Sequence, residues 1–349
     1  MNTCVDSVQY LHRIASRIES DCREIMSATA PDSPKTPITP ERPSISACVI
    51  SLNEERNIRA CLESVSWCDE IVVVDSYSQD KTATIAEEMG ARVLSREWVG
   101  HVAQKNRALD AATGEWVLAL DCDERVTPRL RDQILEALSK PEVIDRVDGF
   151  YISRKLRYLG RWLGHGGWFP EWRLRLFKRE RGRWSGVDPH DTVRLEGRTA
   201  RLEPGSGTAS SSVSESVSEG VSESDGEPGT ESAVILHYSF RDLSHQIKVL
   251  DRYTGIQAGE LHGRGRGVTF LDVTLRPAWR FVSTYVLRGG FLDGVAGYHM
   301  AINHAYAAYM KYARLWEIRR GLVEPPVKSD LVPRVEEAGA ETEKSVAEE

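Results

Sequence analysis

From residue 45 onward, short apolar runs alternate with amphipathic segments, and that alternation predicts a parallel α/β sheet. Strands are predicted at 45–52, 70–74, 91–94 and 116–120. Helices are predicted at 53–65, 80–89 and 102–112, with another starting near Pro128. Trp116-Val117-Leu118-Ala119-Leu120 is apolar at every position, as in a strand covered on both faces, and it stops at Asp121-Cys122-Asp123-Glu124. Open parallel sheets bind ligands beyond the carboxyl ends of their strands. Asp75 ends the second strand much as Asp121 ends the fourth, and Asn53-Glu54 follow the first. While the chain stays extended, Asp121 and Asp123 share one side and Cys122 the other. Paired carboxylates at a buried strand end need a cation or hydrogen-bond donors. Their hard oxygens suit Mg²⁺ or Mn²⁺ shared with a substrate phosphate. The alternative is an acidic loop that caps the helix at Pro128. No Gly-x-Gly-x-x-Gly follows the first strand, which argues against a dinucleotide fold of the glycine-fingerprint kind.

Outside this core the pattern changes. Residues 5–26 place Val5, Val8, Leu11, Ile14, Ile18, Cys22 and Ile25 on one helical face. Prolines at 31, 34, 37, 40 and 43 then favour a polyproline spacer rising ~3 Å per residue, so 1–44 reads as an appendage. The α/β unit is expected at 45–202, in two halves, 45–126 and 127–202. Residues 203–232 are Ser/Glu/Gly-rich and lack aromatics, a composition that reads as a disordered insertion. Residues 233–323 complete the fold, with helices at 242–261, 277–287 and 294–310, and 324–349 form an acidic, disordered tail. Residues 294–310 carry no charge but hold His299, Asn303 and His304, and a spanning helix needs ~20 mainly apolar residues. These helices therefore read as interfacial and amphipathic, with Arg276, Arg280 and Arg288 toward anionic lipid, or as packing on the catalytic unit. His299 and His304 are five apart, which does not make a helical metal pair.

Charge sharpens the picture. The net charge is −7, of which 203–232 contributes seven negative charges and 324–349 a further five, leaving the remainder positive by five. Residues 151–202 hold 13 Lys/Arg against 5 Asp/Glu. A basic module beside a carboxylate site suits phosphates or an anionic membrane face; no nucleic-acid partner is expected. Six cysteines without ordered spacing point to a reducing compartment, and no apolar leader segment marks the chain for secretion.

Val49-Ile-Ser-Leu-Asn-Glu-Glu55, Ile71-Val-Val-Val-Asp-Ser-Tyr-Ser-Gln-Asp80 and Leu120-Asp-Cys-Asp-Glu124 resemble the three N-terminal motifs of family 2 glycosyltransferases. Gln104-Lys-Asn-Arg107 and Thr113-Gly-Glu-Trp116 are similar too. Trp168-Phe-Pro-Glu171, Arg175-Leu-Phe177, His190-Asp191, His237-Tyr-Ser, Leu250-Asp-Arg-Tyr253 and Gly290-Phe-Leu-Asp-Gly294 extend the likeness to the branch with the lipopolysaccharide inner-core β-1,4-glucosyltransferases. The resemblance implies a GT-A nucleotide-diphospho-sugar transferase fold, a UDP-sugar donor and a Mg²⁺ or Mn²⁺ cofactor. It puts Asp75 at the base, Asp121 at the ribose and Asp123 at the metal, with Lys105 at the phosphates. Asn53 and Glu54 complete the nucleotide-sugar site, and Asp121 is a second candidate metal ligand.

The implied reaction inverts the anomeric centre and needs one carboxylate to take the acceptor's proton. Asp191 is the first choice, in the acidic place of the family's His-Glu pair although shorter by one methylene; Glu171 is the second. His190 either orients the base or is structural. The aromatics Tyr158, Trp162, Trp168, Phe169 and Trp172, set among glycines, suit a sugar-binding lid or ordinary packing. The expected enzyme moves glucose from UDP-glucose to a lipid-linked anionic glycan, peripherally at the cytoplasmic face of the inner membrane. Transfer to polyprenyl phosphate or to an exopolysaccharide or capsule precursor is the alternative. A nucleotidyltransferase and a non-catalytic binding module are the rivals from other classes.

Overall fold

The computed structural model describes residues 42–205 except 188–189, and 232–325 except 241. The N-terminal helix, most of the proline spacer, most of the Ser/Glu/Gly insertion and the acidic tail lie outside the described residues, as do the side chains of Val187 and His190. Strands β1 (Ile45–Ser51), β2 (Glu70–Asp75), β3 (Arg92–Ser95) and β4 (Trp116–Asp121) pair in parallel in the order β3-β2-β1-β4. Helices α1 (Glu55–Ser64), α2 (Thr82–Glu88) and α3 (His101–Ala111) connect them. The chain then adds β5 (Glu124–Val126), α4 (Pro128–Leu138), β6 (Gly149–Tyr158), β7 (Arg161–Trp162) and β8 (Glu171–Lys178). A hairpin of β9 (Gly182–Val187) and β10 (His190–Leu195) follows, then β11 (Thr199–Leu202) and β12 (Ile235–His237). Beyond β4 the sheet continues β8-β6-β12-β5, with β4, β8 and β6 antiparallel to one another in turn. The GT-A α/β expectation holds.

Side-chain alternation sorts the strand residues into two layers. Ala47, Val49, Trp116, Leu118 and Leu120 pack with Ile58, Cys61 and Leu62 of α1 and with Leu130, Ile134 and Leu138 of α4. The residues between them, Cys48, Ile50, Val117 and Ala119, face Ala108 and Leu109 of α3 and Trp184 of β9. Complete burial of a side chain such as Ile134 contributes about 1.5–3 kcal/mol. Short helices that are marginal alone are held by such stripes. Helix α4 is capped by Thr127, whose hydroxyl accepts from Leu130 N at 3.3 Å, and Pro128 opens it. The acids at 121–124 are therefore not its cap.

Three expectations need correction. The extended run does not reach Asp123, because β4 ends at Asp121 and Cys122-Asp123 turn the chain into β5. The helix expected at 277–287 starts earlier. Helix α6 (Phe270–Val282) opens on a capping box of Thr269 and Asp272, tolerates Pro277 inside, and runs into a π-helical stretch, Ser283–Leu287. A 3₁₀ turn, Gly290–Asp293, then leads into α7 (Gly294–Arg319), longer than expected. Before them α5 (Leu243–Gly263) matches its prediction. Among the described residues no helix is long and apolar enough to cross a membrane.

Gly114 is where the loop after α3 presses on β1. A Cβ built there meets Ser46 Oγ at 2.7 Å and Ser46 N at 2.8 Å, while Gly114 N donates to Ser46 Oγ at 2.8 Å. Gly114→Ala is expected to cost about 1–3 kcal/mol through overpacking, read as a lower melting temperature. An unchanged melting temperature would show that the loop can retreat.

Candidate active site

The first two strand ends are fastened to each other by the loop after β2. The Asp75 carboxylate, almost wholly buried, accepts from Ser51 Oγ (2.9 Å), Ser78 N (2.9 Å) and Ser78 Oγ (2.5 Å). Asn53 sits at φ +54°, a left-handed conformation that asparagine tolerates. Its amide N–H donates to Ser78 Oγ, and its side chain accepts from Gln79 N at 2.8 Å. Glu54 N donates to Thr82 Oγ1 at 2.8 Å, and the Glu54 carboxylate accepts from Asn57 Nδ2. Asn53, Glu54 and Asp75 thus form one prearranged turn.

Asp121 begins a chain of alternating charges. Lys105 of α3, almost fully buried, reaches Asp121 Oδ1 and Asp191 Oδ2, each at 2.8 Å, and lies 4.6 Å from the centre of the Trp184 ring. Asn106 clamps Trp184 through two backbone hydrogen bonds of 3.0 Å, which holds the β9–β10 hairpin, and so Asp191, against α3. Arg175 of β8 bridges Asp121 Oδ2 (2.7 Å) and Glu124 Oε1 (2.6 Å). Glu124, fully buried, also accepts from Arg154 Nη1 at 2.9 Å and from Asp121 N at 3.0 Å. Arg154 continues to Glu171 at 2.8 Å, and Arg173 closes the series on Glu171.

These pairings set the protonation states. Burial works against charge on Asp121, but Lys105 and Arg175 hold its carboxyl well below the usual carboxylate range. Burial likewise opposes charge on Glu171, and Arg154 and Arg173 prevail and lower it. Arg175 is pushed upward despite its burial, because Glu124 and Asp121 face it. Its Nε is buried and has no hydrogen-bond partner among the described residues.

Asp123 turns another way. One oxygen lies 3.2 Å from His237 Nε2 at the end of β12, and His237 keeps Asp123 ionised against its burial. In the sequence His237 stands out only as a histidine directly after the apolar run 234–236, which does not point to Asp123. The carboxylate oxygens of Asp123 suit Mg²⁺ or Mn²⁺, whereas the imidazole nitrogen beside them suits a transition-metal ion such as Mn²⁺ better than Mg²⁺. Among the described residues no three His, Cys, Asp or Glu side chains gather as a metal-holding group. Magnesium commonly takes one or two protein ligands and completes its shell from phosphates and water. Both oxygens of Asp121 meet cations instead.

The aromatic loop divides. Tyr158 and Trp162 are buried, while Trp168 packs beside Leu163 and Met300, and Phe169 beside Val234 and Leu236. Packing accounts for these four rings.

Residues 46–194 match the family model described as Glycosyl transferase family 2. Over that stretch the chain is similar to family 2 glycosyltransferases; its α/β sheet fits a GT-A fold, and the activity supported is that of a transferase enzyme. Among curated relatives, the chain is 26% identical over 299 residues to the lipopolysaccharide core biosynthesis glycosyltransferase LpsC of Rhizobium meliloti (strain 1021), covering 82% of this chain and 97% of that protein. It is 28% identical to an uncharacterized glycosyltransferase of Rickettsia bellii, over 78% of this chain and 86% of that one. A solved structure of glucosyl-3-phosphoglycerate synthase from Mycobacterium tuberculosis, in complex with Mn²⁺, UDP and glucosyl-3-phosphoglycerate, aligns at 28% identity and a TM-score of 0.28. That alignment spans 33% of this chain and 44% of that one.

Removing one partner from a buried ion pair leaves an uncompensated charge and costs about 3–5 kcal/mol. Arg175→Met is therefore expected to lower the melting temperature sharply, whereas Arg173→Met, at the exposed end, should change it little. Equal effects would contradict the burial argument. Acid supplies a second check. A carboxyl whose folded pKa lies below its unfolded value of ~3.9 stabilises fully above that value and loses its contribution as pH falls through the folded one. Asp121→Asn should flatten the fall in unfolding free energy below about pH 4; a wild-type slope would remove Asp121 from the series.

Proposed function

We propose that the enzyme transfers glucose from UDP-glucose, with inversion, to a lipid-linked anionic glycan of the lipopolysaccharide inner core. The observation that carries this reading is the Lys105 ammonium, 2.8 Å from both Asp121 and Asp191. One buried cation joins the strand end on the nucleotide side to a carboxylate on the hairpin. The Asn53–Glu54–Asp75 turn offers fixed acceptors to a nucleobase, and Asp121 faces the ribose. Lys105 is a donor for a diphosphate in a site whose walls are mostly buried, where such a charge acts strongly.

Asp191 takes the proton of the acceptor hydroxyl as that oxygen attacks the anomeric carbon. The glycosyl–phosphate bond breaks on the opposite face, and UDP leaves with the electron pair. Asp123 and His237 would hold Mg²⁺ or Mn²⁺. When bound, that ion offsets the charge growing on the diphosphate. Asp191 is preferred to Glu171 because Glu171 is tied to two guanidinium groups at the far end of the series. The nearly full-length likeness to LpsC, named for lipopolysaccharide core biosynthesis, supports that acceptor, and a lipid-linked acceptor in turn calls for a peripheral position at the cytoplasmic face of the inner membrane.

The test is UDP release from UDP-glucose in the presence of lipopolysaccharide core or of polyprenyl phosphate. Core-dependent release is expected, and Asp191→Asn should lower kcat by about 10²-fold or more while UDP-glucose still binds. Release driven by polyprenyl phosphate instead would change the acceptor. If Asp191→Asn turned over normally and Glu171→Gln did not, the base would be Glu171.

A further inference from the structure

Helices α6 and α7 leave apolar side chains in water. Leu271, Leu275, Trp279, Val282 and Val286 recur at helical spacing and are all exposed, Trp279 at 63%. On α7, Val295 (70% exposed), Tyr298, Ile302 and Tyr306 do the same. The two stripes are neighbours: Phe281, Tyr285 and Tyr298 meet with ring centres 5.3–6.0 Å apart, and Phe291 closes on Tyr285 at 6.3 Å. Single exposed apolar residues are ordinary, but a continuous face of them marks an interaction surface.

Charge identifies the partner. Between residues 273 and 316 the one acid is Asp293, which is buried, against Arg276, Arg280, Arg288, Lys311 and Arg314. Arg280 and Arg288 are exposed and have no acidic partner among the described residues. Arg266 and Arg276 share Asp272, and Arg314 pairs with Asp251, so the unmatched arginine charge on this side is that of Arg280 and Arg288.

We propose that this face of α6 and α7 docks on an anionic lipid bilayer, its apolar stripe in the acyl boundary and its arginines at the headgroup phosphates. The inference deepens the proposed function, from which it takes the lipid-linked acceptor; the surface itself rests on exposure and charge. Docking would also orient the site. Asp293, between the two stripes, accepts from Gly164 N (3.1 Å) and His165 N (2.9 Å) and pairs with His165 Nδ1 at 2.9 Å, while Gly166 N donates to Arg288 O. The loop so anchored runs on into β8 and Glu171.

The test is flotation of the full chain with vesicles of phosphatidylcholine alone or with about a third phosphatidylglycerol. The chain is expected to float with the anionic vesicles at least tenfold better than with the neutral ones. Arg280→Ala should weaken that binding roughly fivefold, the share of one basic residue. The double variant Leu275→Glu/Trp279→Glu should stay at the bottom while keeping its melting temperature and its UDP release on soluble acceptor. Equal flotation with both vesicle types, or flotation unchanged by the double variant, would overturn the proposal. So would a lipid-free dimer that the same variant dissociates, since the face would then belong to a second copy. Loss of UDP release with flotation intact would count against the function and leave the docking face standing.

Discussion

The charged series at the ends of β4, β5, β6 and β8 depends on the buried contact between Arg175 and Glu124. Taking both ions out of water is expensive, and their attraction repays the cost only with good geometry and further hydrogen bonds. Both conditions are met: Glu124 accepts from Arg175, Arg154 and the backbone of Asp121, and Arg175 reaches Asp121 as well. An apolar pair of similar volume would hold β4, β5, β6 and β8 together at least as well. It could not fix the direction of the Asp121 carboxylate. The charges are better explained by orientation than by stability.

That constraint divides the acids by role. Asp121 is neutralised on both oxygens and serves as a fixed hydrogen-bonding edge, whereas Asp123, two residues on, meets an imidazole from another strand. The turn at Cys122-Asp123 makes the division possible, with Cys122 buried behind it. Lys105 extends the series to the hairpin, and the Asn106 clamp on Trp184 keeps Asp191 within its reach. The far end, at Glu171, leads back through the Gly166–Trp168 turn to the helices with the exposed apolar face.

The parallel half of the fold was legible because β1, β2 and β4 are short, mainly apolar runs closed by Asn or Asp, and Gly90 marks the turn into β3, signals that depend on neighbours in the chain. Asp75, Lys105, Asp121, Asp123 and Asp191 could be singled out for the same reason, lying in motifs. What joins them was not legible. Arg154 and Arg175 lie 30 and 51 residues from Glu124, and no local pattern says that they meet. His237 comes to Asp123 only because β12 pairs with β5 and β6 across the 203–232 insertion. The start of α6 was missed because Pro277 reads as a boundary, while the capping box at Thr269 outweighs it.

The proposed metal-dependent UDP site of Asp123 and His237 is tested most directly by calorimetric titration of UDP with and without Mn²⁺. Binding that strengthens at least tenfold with Mn²⁺, and loses that gain in both Asp123→Asn and His237→Ala, is the result predicted. Binding of equal strength with and without the ion, or a gain that survives both substitutions, would contradict it.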